Sequence, residues 1–168
     1  MGRILKSVLV LSLLAAMLPV ASPGLGNSGV DPGLITTRAL VAGKTMNAGA
    51  VEVSVVDGYL CVEYITNCCW GLDETHLYVG TTKPAKSAPG QFPYKHEYLG
   101  GAATDLYCIP LCDLGVGCGD CVCIAAHAVV TACDCTGSET AWACGQEIRP
   151  GKNWAMYFCV ALPCADNS

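Results

Sequence analysis

Thirteen cysteines and three histidines are the residues of this 168-residue chain best suited to chemistry. The cysteines are Cys61, Cys68, Cys69, Cys108, Cys112, Cys118, Cys121, Cys123, Cys133, Cys135, Cys144, Cys159 and Cys164. Two chemistries suit them. Cys118-x2-Cys121-x-Cys123, followed by Cys133-x-Cys135, has the close thiol spacing of a zinc or metallothionein-like cluster. In an oxidising compartment the same thiols pair as disulfides, and the targeting segment described below favours that reading. Spacing alone does not fix the connectivity. An odd total leaves at least one thiol free or bonded to another chain, as in a disulfide-linked dimer. Cys68 and Cys69, being adjacent, bridge each other only with strain, which predicts two different partners.

His76, His96 and His127 are all the imidazoles present. With a carboxylate such as Glu74 or Glu97 they could hold zinc or copper. No His-x-His or His-Glu-x-x-His spacing fixes such a site, and histidines hydrogen-bonded singly to neighbouring strands account for the same residues. The aromatics Trp70, Phe92, Tyr94, Tyr98, Trp142, Trp154 and Tyr157 could line a carbohydrate site. Phe92, Tyr94 and Tyr98 are the surface candidates among them, whereas Trp154 reads as core. No Gly-x-Ser-x-Gly elbow is present, and Asp113, Asp120 and Asp134 lack the spacing of a calcium loop. The expectation is a non-catalytic protein without a cofactor, zinc or copper being the alternative.

The elements that must position these residues begin with a targeting segment. Residues 1–26 read as a secretory signal peptide: Arg3 and Lys6 precede the apolar run Ser7 to Val20, of about 14 residues where a membrane span needs about 20. Its removal takes two bases and no acid, so the net charge of −5 becomes more negative. That disfavours nucleic acid and anionic membranes as partners. The expectation is a secreted, extracellular surface, matrix or ligand-binding module, an effector or inhibitor domain being the alternative; it leaves the membrane after cleavage, and its partner is another extracellular protein or a carbohydrate.

Residues 27–39, rich in Gly, Pro and Ser, read as an extended lead-in, and 40–168 as a single cysteine-rich domain. Val51, Val53 and Val55 alternate with polar residues, Asp57-Gly58 follows, and Leu60, Val62 and Tyr64 alternate again. This pattern predicts a hairpin. Further strands are predicted at 76–79, 106–109, 121–130 and 154–162, and no window has a capped helical period. In 121–130 the residues Val122, Ile124, Ala126, Ala128 and Val130 share one face, with Cys121, Cys123, Ala125 and His127 on the other. Cys61 and Cys159 likewise avoid the aliphatic phase, and His76 falls opposite Leu77 and Val79. The fold class expected is all-β, an antiparallel sandwich or jelly roll with cysteine staples on its outer faces. Residues 81–103 form a long connection with three prolines, of the kind that carries function or is ordered by its own aromatics.

Five strings, Asp73–Gly80, Ala88–Glu97, Ile124–Val130, Glu139–Trp142 and Gly151–Phe158, together resemble an extracellular module of microbial secreted and cell-surface proteins. The resemblance spans about 40–162 and implies an extracellular all-β domain. It includes all three histidines, which implies a shared structural or metal role for them. The cysteine load departs from that pattern, as if an existing sandwich had been stapled later.

Overall fold

The computed structural model describes residues 33–134 and 137–164. The expected signal peptide, the first part of the lead-in and Cys135 lie outside the described residues. Ten strands account for most of the rest: β1 (Leu34–Ala42), β2 (Met46–Val56), β3 (Tyr59–Thr66), β4 (Trp70–Gly80), β5 (Tyr94–His96), β6 (Thr104–Pro110), β7 (Cys121–Ala132), β8 (Ser138–Ala143), β9 (Gln146–Glu147) and β10 (Met156–Ala161). One four-residue helix, α1 (Leu111–Leu114), follows β6. Among the described residues no helix is long and apolar enough to cross a membrane.

Every pairing is antiparallel, in the order β5-β4-β7-β8-β1-β2-β3-β6, with β10 on β7 and β9 on β10. Residues 34–39, read from sequence as lead-in, belong to β1, held between β2 and β8. The sheet curls so that β3 and β6 lie against β4. One apolar core fills the curl, with Leu40, Val51, Val53, Leu60, Val62 and Tyr64 from one half meeting Leu72, Leu77, Val122, Ile124, Val130 and Phe158 from the other. The Asp57-Gly58 hairpin is present: Val56 pairs with Tyr59, and both turn residues take positive φ (49° and 82°). That geometry matches the right-handed twist of the strands it joins.

β7 is the central strand. One edge pairs with β4 along its length; the other is shared by β10 over Cys121 to Ile124 and β8 over His127 to Thr131. Its Val122, Ile124, Ala126, Ala128 and Val130 are all buried in the main core, as their alternation predicts. The opposite face is not bare. Ala125 and Trp142 are buried there under Phe92, Ile148 and Ala155, with Tyr78, Trp154, Met156 and Tyr157 around them. This second small core is contributed by the long connection 81–103 and by the segment around β9.

A bulge in β4 decides what reaches that second face. Leu72 points into the main core, and simple alternation would send Glu74 and His76 after it. The register slips between Leu72 and Glu74, so that Thr75, Leu77 and Val79 are the residues turned toward the main core instead. An extra residue in one strand reverses the phase of everything beyond it. Asp73, at the slip, accepts a hydrogen bond from Thr131 Oγ1 of β7. Glu74, His76 and Tyr78 thereby face outward, beside His127.

Three disulfides staple this frame. Cys61–Cys108 and Cys123–Cys159 each join directly opposed residues, on β3/β6 and β7/β10, and Cys118–Cys164 ties the loop before β7 to the segment after β10. The strand bridges lie off the main-core face, as the cysteine phase predicts. Cys118 and Cys123 belong to different bridges, so the zinc-like spacing is divided between two staples. Cys68, Cys69, Cys112, Cys121, Cys133 and Cys144 are exposed and unbridged. The Sγ atoms of Cys68 and Cys69 stand 3.8 Å apart, in hydrogen-bonding contact and not disulfide-bonded.

Candidate functional site

The outer face of β4, β7 and β8 carries a row of ring side chains set by register. His76 pairs with His127, and His127 with Trp142. His127 is 5% exposed and His76 6%. Their Nδ1 atoms lie 3.3 Å apart and their ring centroids 5.4 Å. Trp142 meets the His127 ring edge-on at 4.8 Å. One row along, Glu74, Val129 and Thr140 are paired in the same way.

Two loop segments build walls over this row. The turn Pro89–Gln91 brings Phe92 down onto Tyr78 and Trp142, with ring centroids 6.0 and 6.1 Å away. On the other side Ile148 N–H donates to the Ala155 carbonyl at 2.8 Å, closing the loop that carries Asn153 and Trp154. The two walls are tied together: Asn153 Nδ2 donates to Ser87 Oγ at 2.8 Å, and Arg149 Nη2 to the Ala85 carbonyl at 2.9 Å. Between them lies a cleft of about 440 Å3 with Glu74, His76, His127, Trp142, Asn153 and Trp154 in its lining. Pro89, Gly90 and Thr140 also lie in its lining.

Both imidazoles in the cleft are shifted toward the neutral form. Burial lowers the pKa of His127 to about 3, with the neighbouring His76 charge adding to the effect. His76 is also lowered, chiefly by burial and further by Lys95, against the opposing pull of Glu74 and Glu97. Neutral imidazoles offer one N–H donor and one basic nitrogen each, as metal ligands or as hydrogen-bonding partners for a polar ligand.

His96 does not join them. It pairs with Thr75, which points into the main core, so the three expected metal ligands fall on opposite faces of the sheet. His96 Nδ1 instead meets Asp105 Oδ1 at 2.9 Å, and its ring stacks on Tyr107 at 4.3 Å. Thr75 Oγ1 donates to the same carboxylate and lies 2.7 Å from the Tyr107 hydroxyl. This set joins β5 to β6 across the curl of the sheet. Burial raises the Tyr107 phenol to about 12, so it remains a neutral donor here. Among the described residues no three His, Cys, Asp or Glu side chains gather as a metal site.

The aromatic expectations divide similarly. Phe92, expected at the surface, is 5% exposed and forms the keystone of the second core. Tyr94 is partly buried against Tyr107, at 6.4 Å. Only Tyr98 stands out, at 93% exposed on a positive-φ residue. The aromatics that line the cleft over β4, β7 and β8 are Trp142 and Trp154, whereas Phe92 lines a separate pocket with Tyr78 and Pro93; Trp154 lies in its cleft rather than in the main core. Alternation indicated the face on which His76 and His127 stand; it carried no signal that distant loops would wall that face. No protein-family model, no curated protein and no solved structure matches the chain.

Proposed function

We propose that this protein is a secreted, disulfide-stapled module that binds a carbohydrate in the walled cleft over β4, β7 and β8. The observation that carries the reading is the composition of that cleft: the indoles of Trp142 and Trp154 beside the hydrogen-bonding side chains of Glu74, Thr140 and Asn153. Sugars present apolar C–H faces and rings of hydroxyls, which such a mixture complements. The site is an open cleft whose volume lies within the size range of small-ligand pockets. Disulfides support an extracellular setting. The hydrogen bonds that tie the two walls together reduce the order that has to be imposed when the ligand enters.

The test is titration of the oxidised protein with a panel of soluble oligosaccharides by calorimetry, beside Trp154→Ala and Asn153→Ala variants. Saturable binding by at least one sugar, weakened roughly tenfold or more in each variant, is expected. Binding that both variants retain would move the site elsewhere. No binding across neutral, acidic and amino sugars would remove carbohydrate as the ligand class.

A further inference from the structure

The His76–His127 pair has a geometry that a sugar site does not require. Nothing covalent forces two buried imidazoles to turn the same nitrogen, Nδ1, toward each other at 3.3 Å. As a hydrogen bond this contact is long, since N–H donors usually approach their acceptors to about 2.9–3.0 Å. As the bite of a metal chelate it fits. Two metal–nitrogen bonds of about 2.0–2.1 Å at the tetrahedral angle place their nitrogens about 3.3–3.4 Å apart.

We propose that His76 and His127 form a two-imidazole site for a borderline divalent cation, zinc or copper, on the floor of the cleft. Glu74 is the anionic side chain of the cleft lining, near enough for its charge to act on His76. Both histidines line the cleft, so a cation held by them would be within reach of water or a ligand bound there. Imidazole suits zinc and copper, whereas an all-oxygen donor set would be needed for calcium or magnesium. The cross-strand register fixes both backbones, so little order is lost on binding. The charged groups acting on the pair are Glu74, Glu97 and Lys95. This site shares the cleft with the carbohydrate reading but does not depend on it.

The experiment is titration of the oxidised protein, its free thiols first alkylated, with copper sulfate and separately with zinc chloride. Calorimetry gives the stoichiometry, and electron paramagnetic resonance of the copper form reports the ligand atoms. One ion per chain with couplings from two imidazole nitrogens is expected. His76→Gln and His127→Gln should each weaken it roughly tenfold or more, and His96→Gln should leave it unchanged. Zinc-induced nitrogen shifts of the two histidines in the wild-type spectrum test the same point without a variant that must fold. Binding that follows His96, or the absence of a two-nitrogen signature, would overturn the proposal. Sugar binding to metal-free protein would be unaffected by either result.

Discussion

The three disulfides should not contribute equally, and their nesting sets the order. Cys61–Cys108 closes 47 residues of sequence that neither of the other two bridges shortens. Releasing that constraint in the unfolded chain corresponds to about 4 kcal/mol. Cys118–Cys164 spans a nearly equal 46 residues, yet Cys123–Cys159 lies inside it and already ties its ends together. With the inner bridge in place, only about ten residues of chain remain to be closed, worth about 2.5–3 kcal/mol by the same relation. Paired Cys→Ser replacements should therefore destabilise more at 61/108 than at 118/164, by about 1 kcal/mol or somewhat more. The assay is urea denaturation of the alkylated proteins, with slopes compared as well as midpoints, because removing a cross-link also expands the unfolded state. An equal loss, or the opposite order, would refute the loop-closure reasoning. It would mean that native packing around one bridge outweighs the constraint on the unfolded chain.

Three further outcomes follow from particular residues. Because the folded-state pKa of His127 is lowered to about 3, the unfolded chain takes up the proton first as pH falls. Stability should drop between about pH 6.5 and pH 3, with a slope approaching 1.4 kcal/mol per pH unit from this group. His76 acts in the same sense, and an unchanged slope in His127→Phe would refute the assignment. Phe92→Ala should cost about 3–5 kcal/mol, since the ring fills the space between Tyr78 and Trp142; a loss under 1 kcal/mol in thermal or urea unfolding would show that the second core is not packed around it. Gly49→Ala should abolish folding or cost several kcal/mol, because φ is 145° and a Cβ would lie 2.0 Å from the Ile65 carbonyl oxygen. A native-like melting temperature in that variant would contradict the β2–β3 register.

Much of the frame is legible in the sequence because its physics is local. The Asp57-Gly58 hairpin, the alternation in 121–130 and the placement of cysteines off the aliphatic phase each depend on neighbours within a few residues. The missed strands are of another kind. β8 and β9 are short, and β5 is three residues on the edge of the sheet. β1 was obscured by the Gly- and Pro-rich run just before it. Their strand state comes from the partners that long-range pairing provides, which no local window contains. The disulfide map is also non-local, for the same reason.

The candidate site shows where that boundary falls. Period-two reading places His76 opposite Leu77 and Val79, and the structure agrees, but the rule holds only after the bulge at Asp73. Begun at Leu72, the same alternation would bury Glu74 and His76 in the main core. Nor does facing away from one core mean facing solvent. The walls over His76 and His127 come from segments near residues 87–92 and 148–155, and their closure depends on contacts such as Asn153 to Ser87, 66 residues apart. His96 shows the converse. It is chemically equivalent to the other two in sequence, but pairing with Thr75 puts it across the sheet from them. Which imidazoles act together is therefore decided by register parity, and a single inserted residue in β4 is enough to change the answer.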